Sequence, residues 1–407
     1  MDVSQGTRWA RRREKWRQSW SKLLFNARLH PQIASGHQAV LDIAEAALAA
    51  REQYESDDAC LNSSDPLVRQ GWALKKDVER QFRDRHAGHS KERILIHVPA
   101  PKHSPAGYSL FTNLAESLAF IGVASQILDW NANTAQALEA FRPTVLLSSD
   151  HHSYLDRIDW GAVAAYQQTR PLRVGLTASI DAYENTPLQG RLAWAKQHGI
   201  DFYYSFRDEA YVRTRQGYRA FFEAGYAMLY LPFSANILHY YPVAGFERDL
   251  DFVIMATRKS EHMDYMRHIV HRHAGFIDGP GWKHVQNFQF NRERDRYIYA
   301  RARVGLNVHL PEQLEWACEV NERTYQLAAC GVPQLIDHPK LLDQLFSSDA
   351  VYVADSPNAY GQLFESILHE PALAMQHAVR AQAEVFGRHT SFHRAHQFCE
   401  QLRAGSA

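Results

Sequence analysis

From residue 93 onward the chain alternates short apolar runs with longer mixed segments. RILIHV at 93–98 is one such run, followed by a Pro/Gly-rich stretch at 99–107 and a helical pattern at 108–122. Further short runs lie at 124–128, 144–148, 173–177, 202–206 and 228–231, with a helical pattern at 134–141. Short apolar runs alternating with helices predict strands of a parallel, doubly wound sheet. Leu231-Pro232-Phe233 ends this series. A second series opens with DFVIMA at 251–256 and a helix at 262–273. It continues with a strand at 275–277, a Gly279-Pro280-Gly281-Trp282 turn, and strands at 303–307, 334–336 and 351–353. Helices are predicted at 339–346, 360–368 and 371–386. The expected fold is α/β: two Rossmann-like, doubly wound domains facing a cleft lined by the carboxyl ends of both sets of strands.

Residues 1–90 carry no strand signal and read as helices at 8–24, 38–54 and 67–85, with a loop at 60–66. The expected division is a helical extension at 1–90, a first domain at 91–245, a second at 246–398 and a tail at 399–407. The segment 8–24 places Trp9, Trp16 and Trp20 on one helical stripe, at spacings of 7 and 4. Residues 1–30 hold eight Lys/Arg and two Asp/Glu. A basic helix with a Trp stripe suits either a membrane surface, through residues 8–25, or docking on protein.

Composition narrows the class. The chain has 407 residues, enough for two domains, and 45 Lys+Arg balance 45 Asp+Glu, so no global field favours nucleic acid. There is no apolar run of transmembrane length and no signal-peptide core, so a cytoplasmic protein is expected, with peripheral attachment to the membrane as the variant. The cysteines at 60, 318, 330 and 399 show neither CxxC nor zinc spacing. Cys318 and Cys330 fall in predicted helices, so buried thiols are expected rather than disulfides. The 22 His and 48 aromatic residues suit a groove that stacks on sugar rings, and they suit ordinary core and surface equally well.

The most informative stretch is NERTYQLAACGVPQLID at 321–337. It predicts a polar helix start, a small-residue helix, a Gly-Val-Pro stop and a short strand. Free N–H groups at the helix start favour an anion, and Arg323 and Gln326 share a face. This stretch resembles the nucleotide-sugar motif of GT-B glycosyltransferases of the spore-maturation, group 1-like branch, roughly N-x-R-x-[FY]-E-x-x-A-C-G-x-P. Asn321, Arg323, Tyr325, Ala329, Cys330, Gly331 and Pro333 match, and Gln326 stands where the family usually has Glu. The resemblance runs on to FGRHTSFHRAHQF at 386–398, like the family's closing HT-(F/Y)-x-x-R helix, and back more weakly to Asp251.

The resemblance implies a GT-B fold and a metal-independent glycosyltransferase. Its donor would be a nucleotide-diphosphate sugar, taken as co-substrate with no cofactor. Its acceptor would be a glycan or lipid-linked acceptor, and the basic Trp-bearing N-terminus favours one at the membrane surface, in surface polysaccharide or glycoconjugate biosynthesis. A non-catalytic nucleotide-sugar or glycan-binding protein on the same fold remains open, because Gln326 carries no charge, and so does a nucleotide-sugar epimerase that uses the same cleft. The expected donor site comprises Thr257, Arg258 and Lys259 after the first strand of the second domain, Trp282 in the GPGW turn, Asn307 and His309 at the end of RVGLNVH, and Asn321, Arg323, Gln326 and Gly331 in the motif. In the first domain Asp150, with His151 and His152 beside it, is the candidate base for the acceptor hydroxyl, and Asp181 is the second candidate. Ser and Asp in such loops also serve as caps. The loop at 99–107, with Lys102 and His103, is the expected acceptor-binding or donor-capping segment.

Overall fold

The computed structural model describes Phe25, residues 28–178 and residues 188–404. The expected α/β architecture is observed. In the first domain β1 (Arg93–Val98), β2 (Ala124–Asp129), β3 (Val145–Ser149), β4 (Arg173–Thr177), β5 (Phe202–Ser205) and β6 (Ala227–Tyr230) form one parallel sheet in the order β2-β1-β3-β4-β5-β6. In the second, β7 (Leu250–Met255), β8 (Gly275–Asp278), β9 (Ala302–Asn307), β10 (Gln334–Ile336) and β11 (Tyr352–Val353) pair in the order β11-β10-β9-β7-β8, again all parallel. Ile94, Leu95 and Ile96 of β1 and Phe252, Val253 and Ile254 of β7 are buried, as strands covered by helices on both faces require. Strand order reverses at β1 and at β7, which opens a crevice at the carboxyl end of each sheet.

The N-terminal helices are not a separate appendage. Helix His37–Ala49 packs on helix Arg292–Ala300, and helix Pro66–Phe82 packs on helix Pro371–Arg388, both of the second domain. Glu55 fixes this union. Its Oε1 accepts from Arg296 Nε at 2.8 Å and from the Tyr297 hydroxyl, and its Oε2 accepts from the Tyr241 hydroxyl at 2.7 Å. The segment expected as a loop at 60–66 begins inside a short helix, Asp57–Leu61, because Ser56 accepts from Ala59 N at 3.2 Å and caps it.

The C-terminal helix Ser391–Ala404 returns to the first domain. Phe392 stacks on Phe120 at 4.1 Å, and the Ser117 hydroxyl donates to Ser391 Oγ at 2.7 Å. The Gln401 side chain bonds both backbone groups of Tyr230, at 2.7 and 3.0 Å, and so closes the open edge at β6. The division expected at 398 therefore falls within a continuous helix. Cys399 and Leu402 are buried, so residues 399–404 are no loose tail. All four cysteines are free and buried. Cys318 lies in a turn rather than in the expected helix, where its N–H donates to the Trp316 carbonyl.

Removing one partner of a buried ion pair leaves the other charge unsolvated, which costs about 3–5 kcal/mol. Glu55→Ala is therefore expected to lower the stability of the second domain by about that much. Urea denaturation followed by tryptophan fluorescence checks it, and a loss below ~1 kcal/mol would show that the helical extension is only weakly coupled.

Candidate active site

The crevices of the two domains meet in a mostly apolar cavity of about 300 Å³. The second domain supplies Met255, Ala256 and Thr257 after β7, Asp278, Gly279 and Pro280 after β8, and Asn321, Glu322, Arg323 and Gln326 of the motif helix Glu322–Ala329. The first domain supplies Pro105, Ala106, Ser109 and Leu110, at the start of the helix that follows β1. That helix begins where it does because Pro105 sits in its first turn and Ser104 caps it, accepting from Gly107 N at 3.2 Å. Pro105 and Ala106 belong to the loop-to-helix segment expected to contact a ligand. His103 from the same segment instead stacks on Trp130 at 4.7 Å.

The motif helix starts at the cavity because Asn321 caps it, accepting from Thr324 N at 3.1 Å. Asn321 Nδ2 also donates to Asn307 Oδ1 at 2.8 Å, and Asn307 Nδ2 donates to Thr324 Oγ1 at 2.8 Å. Asn307, fully buried at the end of β9, thus holds the cap and positions Arg323, whose Nε donates to Asn307 Oδ1 at 3.2 Å. The remaining Arg323 nitrogens reach only the carbonyls of Met255 and Val308, each at 3.4 Å. No carboxylate among the described residues pairs with Arg323. Burial pulls its pKa below the ordinary guanidinium value, so the charge is held at an energetic cost. One turn on, the Gln326 side-chain amide makes no hydrogen bond to another described residue.

Three carboxyl groups line the same cavity. Asp278 and Asp295 both face Arg294, at 3.5 and 3.1 Å. Burial pushes the Asp295 carboxyl up to about 6 despite Arg294. Glu322 accepts from Asn113 Nδ2 of the first domain at 2.8 Å. Burial pushes its carboxyl up to about 7, against the pull of bonds from Ser109 and Asn113. Neither Glu322 nor the Asp pair was among the sequence candidates. Glu322 stood in plain view inside the motif, but only its neighbours were matched. Asp295 comes from a helix with no motif at all.

Several expected donor contacts are rearranged. Thr257 lines the cavity, and Lys259 is exposed beside it. Arg258 lies 5.8 Å over the Trp282 ring, and its backbone N–H donates to the Pro280 carbonyl at 2.9 Å. Trp282 itself is corrected from ligand to core residue. It is 2% exposed, and its Nε1 donates to the Ala256 carbonyl at 2.8 Å, which ties the turn to β7. Gly279 in that turn has φ +130°, and a Cβ there would meet Ala256 O at 2.3 Å. His309 is likewise buried away from the cavity, with Nδ1 on Asp337 Oδ1 at 2.6 Å, and burial lowers its pKa in spite of that carboxylate. Gly331 lies at the far end of the motif helix. Its φ is +71°, and a Cβ there would meet Gln382 Nε2 at 3.0 Å and Leu67 Cβ at 3.2 Å, so it stops the helix against the N-terminal extension.

The first-domain base candidates are not brought to this cavity. Asp150 is 3% exposed and accepts from Arg191 Nη1 at 2.6 Å. With His152, Trp194 and Tyr203 it lines a separate cavity of about 260 Å³ that shares no lining residue with the interdomain one. An ion-paired carboxylate is a poor proton acceptor, because the cation favours its charged form. His151 Nδ1 lies 2.7 Å from Ser153 Oγ at a helix start, and its ring stacks on His152 at 4.3 Å. Asp181 lies outside the described residues. Among the described residues one group has metal-ligand spacing, His86, His396 and Glu400, and it belongs to the C-terminal helix region, not the cavity. There Arg403 Nη2 donates to His86 Nδ1, which leaves the Nε2–H of a neutral His86 directed at His396 Nδ1, 2.8 Å away.

Residues 258–400 match the family described as glycosyl transferase-like. No curated protein matches the sequence. Among solved structures, sucrose-phosphate synthase from Thermosynechococcus elongatus is similar at 14% identity and a TM-score of 0.52, over 77% of this chain and 99% of that one. The DNA-modifying enzyme β-glucosyltransferase, studied with and without its substrate uridine diphosphoglucose, is similar at 8% identity and a TM-score of 0.50, over 77% and 100%. The fold is GT-B, and the resemblance carried by the motif to the group 1-like branch of the GT-B glycosyltransferases is borne out.

The cavity's cation can be tested with pyrophosphate as a probe. Asn307→Asp places a carboxylate against Arg323 and satisfies its charge from within. Pyrophosphate affinity is expected to fall at least about tenfold in isothermal titration, the scale of one lost charged hydrogen bond. Unchanged affinity would mean that Arg323 is not the anion anchor.

Proposed function

We propose that the protein is a glycosyltransferase that moves a sugar from a nucleotide-diphosphate-sugar donor to a glycan or lipid-linked acceptor, in surface polysaccharide or glycoconjugate biosynthesis. One observation carries this reading: Arg323, a cation with no carboxylate partner among the described residues, stands at a capped helix N-terminus inside a cavity between two doubly wound domains. Glycosyl transfer releases a diphosphate, and fixed positive groups aimed at that developing charge lower the barrier. Both solved structures above are named as sugar-handling enzymes, one with uridine diphosphoglucose as its substrate, which supports a nucleotide-sugar donor.

In this reading Arg323 and the helix start hold the diphosphate, with Arg258 and Lys259 beside them, and the Gln326 amide holds ribose hydroxyls. These groups make the reaction metal-independent. The basic Trp-bearing segment at 8–25, of which only Phe25 is among the described residues, brings the protein to the cytoplasmic face of the membrane.

Arg323→Ala is expected to weaken binding of a nucleoside diphosphate roughly 10- to 100-fold, the scale of one or two charged hydrogen bonds, and binding of the nucleoside only slightly. Equal losses for both ligands would remove Arg323 from the diphosphate site. Gln326→Glu is expected to retain donor binding and Gln326→Ala to weaken it. Turnover that vanishes in EDTA and returns with one divalent ion would overturn the metal-free reading.

Co-sedimentation with liposomes containing anionic lipid tests the membrane reading. The full chain is expected to bind and a chain lacking residues 1–30 to stay in solution. Binding that survives the truncation, or is indifferent to anionic lipid and salt, would refute it.

A further inference from the structure

Glu322 differs from every other carboxylate that lines the interdomain cavity. Asp278 and Asp295 are committed to Arg294. Glu322 has only neutral partners among the described residues: Asn113 Nδ2 at 2.8 Å and the Ser109 hydroxyl. It can therefore gain or lose a proton without breaking an ion pair. Its place is equally particular. It belongs to the second domain, yet it reaches the helix Pro105–Phe120 of the first, and it also lines a smaller adjoining cavity of about 30 Å³ with Leu110, Phe233 and Arg394. Consecutive helix positions diverge by about 100°. Arg323 accordingly turns to the ends of β7 and β9, while Glu322 turns to the first domain. A donor anchored by its diphosphate at Arg323 would lie with Glu322 between it and the first domain, where an acceptor must enter.

We infer that Glu322 is the group that accepts the proton of the attacking hydroxyl, an assignment that rests on the transferase reading above. In the step, the acceptor oxygen bonds to the anomeric carbon. The bond from that carbon to the diphosphate oxygen breaks, and its electron pair leaves on the diphosphate, held by Arg323. The hydroxyl proton passes to the Glu322 carboxylate and from there to solvent. Burial keeps this carboxyl near neutrality, at about 7, which suits a base working at neutral pH. The charged and titratable groups that face it are Arg292 and Tyr299 from helix Arg292–Ala300, Tyr240 from the interdomain segment, Arg394 from the C-terminal helix and Arg323 beside it. None forms an ion pair with it.

The test uses the full chain and a panel of UDP-glucose, GDP-mannose and ADP-glucose, with release of nucleoside diphosphate to water as the readout. Water then stands in for the acceptor hydroxyl. Glu322→Gln keeps the volume and the acceptor oxygen for Asn113. Turnover is expected to fall roughly 10²- to 10⁴-fold, while affinity for the nucleoside diphosphate stays within a few-fold. The wild-type rate should rise with pH through a value near 7, because the base works deprotonated, and the residual rate of Glu322→Gln should lack that limb. Ser109→Ala removes a bond that stabilises the carboxylate, so its limb should move to higher pH. A role confined to holding the domains together would move neither limb. Glu322→Gln turnover within a few-fold of wild type, or a Ser109→Ala limb that does not move, sinks the assignment of Glu322 alone. Wild-type protein that binds no member of the panel, or binds and never releases diphosphate, sinks the transferase reading with it.

Discussion

The site depends on one charge that pairs with no carboxylate among the described residues. Among the described residues, Arg323 is held in a mostly apolar cavity by neutral oxygens: the Asn307 amide and the carbonyls of Met255 and Val308. Desolvating a guanidinium without a carboxylate is unfavourable, and the structure tolerates it through geometry set elsewhere. Asn307 is immobilised by Thr324, by Asn321 and by the Tyr360 hydroxyl, which lies 3.0 Å from its backbone nitrogen. Tyr360 is in turn buried beneath β9 and β10, where its hydroxyl donates to the Leu335 carbonyl at 2.9 Å. A local requirement for an anion is thus supported by the core of the second sheet.

The second constraint is the relation between the domains. Asn113, at the middle of the first-domain helix, accepts from Asn236 Nδ2 at 3.0 Å and from Arg292, and donates to Glu322. Glu116, one turn on, accepts from Arg292 Nη2 at 2.8 Å and bonds His239 Nε2 at 2.7 Å. This buried polar network joins the first domain, the segment between the domains and the second domain in a single cluster. Hydrogen bonds of this kind are directional, so they fix orientation more strictly than apolar contact does. The returning helix Ser391–Ala404 and the parallel bridge between Ala235 and Thr390 act on the same junction from the other side. The spacing between Arg323 and the first-domain helix is therefore set by contacts that lie outside the cavity.

Electrostatics divide the cavity. Arg323 brings a cation to its lining, and Asp278 and Asp295 bring carboxyl groups that both face Arg294. Glu322 faces neutral amide and hydroxyl groups. Burial raises the pKa of a carboxyl, so enclosure brings Asp295 and Glu322 toward the range where protons exchange at neutral pH.

The alternation of apolar runs determined most of the fold without help. Strands at 93–98, 173–177 and 334–336 appear at the residues where the pattern predicts them, because strands buried on both faces leave continuous apolar runs. The motif likewise located Asn321, Arg323 and Gln326 at the cavity, because a helix start and its cap are encoded within a few residues. What tertiary structure decided is which side chains meet. Trp282, His309 and Gly331 belong to local patterns that look like ligand contacts, but packing turns them into the core or to the opposite end of the helix. Asp150 has the sequence surroundings of a base, yet Arg191, 41 residues away, takes its charge. Glu322 has no distinguishing context in the sequence, and only the approach of Asn113, 209 residues earlier, makes it the carboxylate with neutral partners. Periodicity is a property of neighbouring residues, whereas charge pairing and burial depend on residues far apart in the chain, and those are fixed only when the two domains close on each other.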